Sequence, residues 1–425
     1  MVILNNVNIL GKYLADVEIN EGYIVNITSA GSLPIENDCK GRVLLPGLVD
    51  LHTHMREPGF EESETVLSAS RAGARGGFTA LHAMPNTSPV GDTAGVVEQV
   101  FHLGLAAGLC DVYPIGAVTK NLEGEQLAEL GAMADSEARV RIFSDDGRCV
   151  SDPLLMRRAL EYVKAFGGVI AQHAQDPLLT VGSQMNESEL SSRLGLKGWP
   201  AVAEEAIIAR DVLLAQHVKG KLHICHVSTR GSVEIIQRAK ENGIEVTAEV
   251  TPHHLLLTED LVENYDPMYK VNPPLRSRDD VLALREGVQN GVIDIIATDH
   301  APHPLESKDC EWQVAAFGML GLETALSVAY TVLVKEGTMS IEKLADVLSA
   351  RPAVIGQVPQ HGRPVAIGEP ANLVLFDIDK SYRVDKNDTF SKSTNNPYDA
   401  MTLQGTVMMT MLRGRITYRD EEANV

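Results

Sequence analysis

The chain has 425 residues, 44% of them hydrophobic and 22% charged, with a formal net charge of −20, so it is an ordinary globular protein with room for one large core and a second small domain. Such acidity excludes nucleic acid and anionic membranes as principal partners and means that a small anionic ligand must be drawn in by particular cations. The five cysteines, Cys39, Cys110, Cys149, Cys225 and Cys310, form no CxxC pair and suit a reducing cytoplasm better than a disulfide framework or a cysteine-based zinc site.

In chain order, residues 1–45 read as short strands at 2–4, 7–9 and 13–27, the last broken by a turn at Asn20-Glu21-Gly22. The opening residues lack a signal-peptide pattern, and no apolar run is long enough to span a bilayer. The stretch 44–59 then gives an apolar strand opened by Pro46-Gly47 and closed by Glu57-Pro58-Gly59, with the texture of a strand buried on both faces. Residues i and i+2 of a strand point the same way, so His52 and His54 leave it together and can share a metal ion. Arg56, at the next step of two, offers a planar fork for an anion beside that metal.

Further strands are predicted at 78–84, 112–117, 140–143, 169–172, 222–225, 244–248 and 293–297, with helices at 61–75, 93–107, 153–166, 202–217, 232–242 and 278–289 between them. With the first strand these make eight βα units, which fit a (β/α)₈ barrel. An open doubly wound sheet is the alternative, but it gathers functional residues at one switch point. Helices at 322–335 and 341–348 follow, and strand texture returns at 371–377, 406–413 and 415–418. The terminal segments, 1–45 and 359–425, are expected to pair into a small β-sandwich domain beside a catalytic barrel at 46–358.

In such a barrel chemistry belongs at the C-terminal ends of the strands. His173 follows the fifth, His226 the sixth and Asp299 the eighth, each the first strongly coordinating group after its apolar run. Several neutral imidazoles with one or two carboxylates suit Zn²⁺ and leave a position open for water, whose pKa the metal lowers toward about 7. His82, His102, His217, His223 and His361 fall mid-strand, in helices or in loops and read as structural, while His253 and His254 exit the seventh strand without an assigned role.

The segments 46–59, Met84-Pro85-Asn86-Thr87, Phe143-Ser144-Asp145-Asp146-Gly147, Thr251-Pro252-His253-His254, 271–276 and 297–303 together resemble the bacterial class I dihydroorotases of the amidohydrolase superfamily, from about residue 1 to 420. That resemblance implies a reversible cyclisation of N-carbamoyl-L-aspartate to L-dihydroorotate plus water, run by metal-bound hydroxide with Asp299 as general base and then general acid. It implies two zinc ions per chain, one on His52, His54 and Asp299, the other on His173 and His226. Many relatives bridge such metals with a modified lysine, but residues 139–152 contain none. The matching bridge is an aspartate, expected at Asp152, with Asp145 and Asp146 as alternatives. Asp152-Pro153 is also a helix N-cap signature.

The resemblance further assigns His54 to substrate binding, Arg56, Asn86 and His303 to the substrate carboxylate, and Asn272 with the backbone of Phe317-Gly318 to the ring. Residues 304–312 are either a flap over the site or an ordinary surface loop. A homodimer and an association with aspartate carbamoyltransferase are also within what the resemblance implies. A hydantoinase or allantoinase is disfavoured by the missing lysine and by Arg56, and a silent scaffold by the complete set of ligands.

Overall fold

The computed structural model describes residues 1–421 and 423. The last positions of the expected terminal domain, 422, 424 and 425, lie outside them. At the centre are two parallel sheets, one of three strands (Leu48–Thr53, Phe78–Ala83, Asp111–Pro114) and one of five (Ile142–Phe143, Val169–Gln172, Lys221–Ile224, Val246–Val250, Ile295–Ile296). A single parallel bridge, Gly116 with Phe143, joins them at one margin, and Thr53 with His300 joins them at the other. Beneath the second seam the buried Asp50 carboxylate accepts Thr298 N (2.9 Å) and Oγ1 (2.5 Å), tying the first strand of the series to the last.

Alternation along these strands sorts their side chains between two cores. Leu48, Ile170 and Ile296 pack outward with helical residues such as Ala69, Val97, Leu155 and Ile208. Val49, Leu51, Ala171, Ile295 and Ala297 pack inward with Ala80, Ile142 and Cys225. Most helices begin where a side chain satisfies free backbone N–H groups. Thr65 and Ser68 form a capping box for Val66–Arg75, and Ser277 and Asp280 form one for Arg278–Asn290. The first of these helices is shorter than the predicted 61–75 because the Thr65 cap sets its start. Thr229 likewise starts Arg230–Glu241 two residues before the predicted 232.

Two corrections concern elements. The apolar run from residue 44 is two strands and not one: Val43–Pro46 and Leu48–Thr53 belong to different sheets, separated at Gly47. A Cβ on Gly47 would lie 2.4 Å from Thr79 Cγ2, so only glycine fits where the chain crosses. Four helices that the sequence pattern does not predict, Leu130–Asp135, Glu189–Leu194, Pro252–Leu256 and Arg351–Ile355, are each too short for a periodic signature.

Strands from the two ends of the chain pair with one another. Val43–Pro46 pairs antiparallel with Leu373–Arg383, which continues through Thr402–Leu412 to Arg415–Arg419. On its other side Val43–Pro46 pairs with Val2–Ile9, followed by Tyr13–Asn20 and Tyr23–Ser29. With Asn37–Asp38, which pairs parallel with Val2–Ile9, these strands form one eight-stranded sheet with its own apolar core, including Leu4, Val17, Ile24, Leu44, Leu375 and Met409. Among the described residues no helix is long and apolar enough to cross a membrane.

Candidate metal centre

Four histidines and two aspartates from the exits of five strands converge, His52 and His54 sharing one. His52, at the end of Leu48–Thr53, has Glu249 Oε1 2.6 Å from Nδ1, which fixes the proton there and leaves Nε2 as a lone-pair donor. That Nε2 is buried, has no hydrogen-bond partner, and lies 3.4 Å from Asp146 Oδ1 and 3.5 Å from Asp299 Oδ1. His54 Nδ1 donates to Asn86 Oδ1 (2.9 Å), so its Nε2 faces Asp299 Oδ1 (3.1 Å) and Asp146 Oδ2 (3.3 Å). His173 Nε2 donates to Gln175 Oε1 (2.8 Å), turning Nδ1 toward Asp146 Oδ1 (3.2 Å). His226 Nε2 is 3.3 Å from the same oxygen and 2.8 Å from His173 Nδ1. Two imidazole lone pairs that close repel unless a proton or a cation lies between them.

Asp146, which the sequence reading held as an alternative, therefore stands among all four imidazoles. Asp152 does not. Its side chain is exposed and accepts Leu155 N at 2.8 Å, capping Pro153–Val163. The strand Ile142–Phe143 is short, so the rim position falls three residues beyond it at Asp146, and by Asp152 the chain has already entered the outer helix. Asp145 is turned away as well, accepting Val118 N (2.8 Å) and Thr119 N (3.0 Å).

The electrostatics follow from burial without water. Desolvation alone would push His52 down, but Asp146, Glu249 and Asp299 together hold its pKa well above the ordinary imidazole value. Burial works against both aspartates, yet the facing imidazoles, His52 first, keep Asp146 and Asp299 well below the usual carboxylate range. Glu249 is likewise held at about 2 despite its burial, by His52 and His223. The carboxylates thus demand positive charge among them, and the inward-facing nitrogens, with His52 Nε2 unpartnered, fit a divalent cation in the place of the proton that His52 would otherwise take up. His52, His54 and Asp299 form one group whose ligand atoms lie within 4.8 Å of one another, and His52, Asp146 and His226 form another. Two of these residues have left-handed backbone, His226 (φ 33°) and Asp299 (φ 46°), strain of the kind found where function dictates side-chain direction.

Around the cluster lie the residues expected to hold substrate. Arg56 (φ 62°) donates from Nε to Pro302 O (3.1 Å); burial lowers its guanidinium to about 10, opposed by the nearby Asp299 and Asp146. His303 Nε2 donates to Phe317 O (2.8 Å), and burial with the Arg56 charge pushes that imidazole down to about 3, so it is neutral. Gly318 has φ +146°, and a Cβ there would meet His303 Nε2 at 2.7 Å. Asn272 donates to Gln175 Oε1 (3.0 Å) while its own Oδ1 is buried without a partner. In 304–312, Lys308 is buried and donates to Lys270 O (3.0 Å) and Ala316 O (2.9 Å), so part of this stretch is anchored.

Of the two histidines left unassigned, His254 is structural, bonded to Thr251 Oγ1 (2.8 Å) and Pro273 O (3.1 Å). His253 is buried, pushed down to about 4, and leaves Nε2 without a partner. Sequence reasoning missed Glu249, although a charged residue inside the otherwise apolar strand Val246–Val250 was a usable signal.

Residues 41–232 match the family model described as dihydro-orotase-like. The chain is 64% identical to a dihydroorotase of Leifsonia xyli subsp. xyli, covering 93% of this chain and 90% of that one. It is 50% identical to the dihydroorotase of Mycobacterium tuberculosis over 95% of each. Among solved structures it superposes on an L-hydantoinase (dihydropyrimidinase) from Arthrobacter aurescens with a TM-score of 0.87 at 27% identity, covering 99% of this chain and 96% of that one. A dihydropyrimidinase from Brevibacillus agri, 23% identical, shares the fold with a TM-score of 0.83.

Proposed function

The chain belongs to the dihydroorotase family and is a metal-dependent cyclic amidohydrolase of pyrimidine biosynthesis; from that premise we propose that His52, His54, Asp146, His173, His226 and Asp299 hold its metal. The observation that carries this reading is Asp146, whose oxygens lie 3.2 to 3.4 Å from nitrogens of four histidines. His52, His54 and Asp299 would hold one ion and His173 and His226 a second, with the Asp146 carboxylate within reach of both sets. Zinc, two ions per chain, is the choice that this donor set favours; once bound, it supplies Lewis acidity and water acidified toward about pH 7.

The chain's own groups do the rest. Glu249 and Asn86 orient His52 and His54, and Gln175 orients His173. Asp299 takes the proton of the attacking water and returns it to the leaving ring nitrogen in hydrolysis, and reverses both transfers in cyclisation. Arg56, Asn86 and His303 receive the carboxylate that separates dihydroorotate from hydantoin and allantoin. Asn272, with its open Oδ1, and the Phe317-Gly318 backbone receive the ring.

In the same reading the two parallel sheets are one closed (β/α)₈ barrel over residues 46–358. The terminal sheet, built from 1–45 and 359–425, folds on itself as a small β-sandwich, since both halves feed one core. Self-association or association with aspartate carbamoyltransferase is checked by sizing the protein alone and with that enzyme.

The test is direct. Purified protein given L-dihydroorotate, hydantoin and allantoin separately should consume the first fastest and lose that activity on chelation. Preference for hydantoin would overturn the carboxylate assignment.

A further inference from the structure

Residues 391–396, which lie between the strands Leu373–Arg383 and Thr402–Leu412, run across the exits of the first and last parallel strands. The Ser391 hydroxyl and Lys392 N (3.1 Å) bond to the buried Glu64 carboxylate, which also meets His300 Nε2 at 3.3 Å. Ser393 Oγ donates to Ser63 O (2.7 Å). The next anchor is Asn395, 2% exposed. Its Nδ2 donates to Ala301 O (2.9 Å) and Gly318 O (3.2 Å), its Oδ1 accepts His303 N (3.2 Å), and its own carbonyl accepts Leu320 N (3.1 Å).

We propose that Asn395 is a positioning residue for substrate, acting through His303 and Gly318 from a segment of the chain that carries no ligand of its own. The chemistry requires an amide. The three groups that its side chain serves are two carbonyls and one N–H, and only a side chain with two donors and an acceptor on one short plane satisfies all three. A carboxylate of the same shape would set a lone pair against Ala301 O and Gly318 O; an alanine would leave all three backbone groups unpaired in a buried place. The consequence reaches the pocket because the His303 imidazole, 2.8 Å from Phe317 O, links the two backbone segments that Asn395 ties from the other side. The carboxylate subsite and the ring subsite are thus held at a fixed separation. The inference rests on the assignment of His303 and Phe317-Gly318 to substrate given above.

The experiment is a double-mutant cycle on holoenzyme, with kcat, KM for L-dihydroorotate and bound metal measured for each variant. Asn395→Ala and the isosteric Asn395→Asp should raise KM about tenfold or more, with kcat held within about threefold and metal content unchanged, because misplacement of binding groups weakens uniform binding. In a His303→Ala background, Asn395→Ala should add less than about twofold, since the two act as one unit. Ser393→Ala, which loosens the same segment without touching the pocket, should leave KM unchanged. If His303→Ala itself leaves KM unchanged, the assignment of His303 to substrate fails. If His303→Ala raises KM and the Asn395 variants do not, the positioning role alone fails. Asn395 variants that lose metal, or lose kcat as heavily as they gain KM, would mark the residue as merely structural and overturn the proposal.

Discussion

Asp146 and Asp152 are six positions apart and chemically identical, yet one is buried among imidazoles and the other caps a helix in solvent. Their substitutions should therefore separate cleanly. Asp146→Asn is expected to abolish turnover and to lower retained metal after dialysis, since an amide gives up the charge that faces four histidines. Asp152→Ala should keep near-normal kcat and bound metal while losing about 1 kcal/mol of stability in urea unfolding, the ordinary worth of an N-cap. Metal retained by Asp146→Asn and lost by Asp152→Ala would reverse the assignment. Glu249→Gln, which weakens the partner of His52 Nδ1 without touching the ions, should reduce metal affinity by about 10- to 100-fold, read by competition with a chromogenic chelator. At this scale the sequence was informative wherever a proposed ligand directly follows an apolar strand, as His52, His54, His173, His226 and Asp299 do. It could not separate Asp146 from Asp152, because after a strand as short as Ile142–Phe143 the path of the loop depends on tertiary contacts that leave no periodic trace.

Elements were legible in proportion to their length. The parallel strands and the long helices came close to their predicted bounds, while Leu130–Asp135 and Pro252–Leu256 were invisible, and the division at Gly47 was hidden because both neighbouring strands are fully buried and read as one apolar run. Residues 304–312 read from sequence as either a flap or a surface loop, and two lysines give this part of the chain its structure. Lys270 Nζ donates to Trp312 O (2.7 Å) and lies 4.5 Å from the centre of the Phe317 ring; Lys308 Nζ holds Lys270 O and Ala316 O. Burial first, and then the Lys270 charge, lowers Lys308 to about 7, against 10.5 for a free lysine. The folded state thus binds fewer protons than the unfolded state between these values, so this residue makes stability rise with pH from about 7 toward 10. In Lys308→Met that part of the slope of Tm against pH should vanish. An unchanged slope would show that the ammonium is not held as the geometry indicates. Gly318→Ala is the companion case: its φ of +146° and a Cβ 2.7 Å from His303 Nε2 predict a raised KM for dihydroorotate with bound metal unchanged.

Over the whole molecule, residues that must act together are supplied by parts of the chain that could drift apart. Leu48–Thr53 leads directly out of a strand of the terminal sheet, the Thr298 end of the series is tied back to Asp50, and residues 391–396 cross from Glu64 to His303. What these ties enclose is unfavourable by itself, two ionised aspartates and a glutamate removed from water. A cation bound to the folded chain and not to the unfolded one repays that cost and raises stability by RT ln(1 + [M]/Kd), about 4 kcal/mol at a thousandfold excess over Kd. Chelation followed by gel filtration should therefore remove activity and lower Tm by several degrees, with zinc, manganese or cobalt restoring both together. Hydrogen exchange on the chelated protein should quicken in the segments that carry Asp146, His173, His226 and Asp299, while Leu373–Arg383 and Thr402–Leu412 keep their protection, since their ladder and core touch none of the ligands. A chelated protein that melts at the original temperature would mean that the cluster is preorganised without its ions, and the stabilising role assigned to them here would have to be given up.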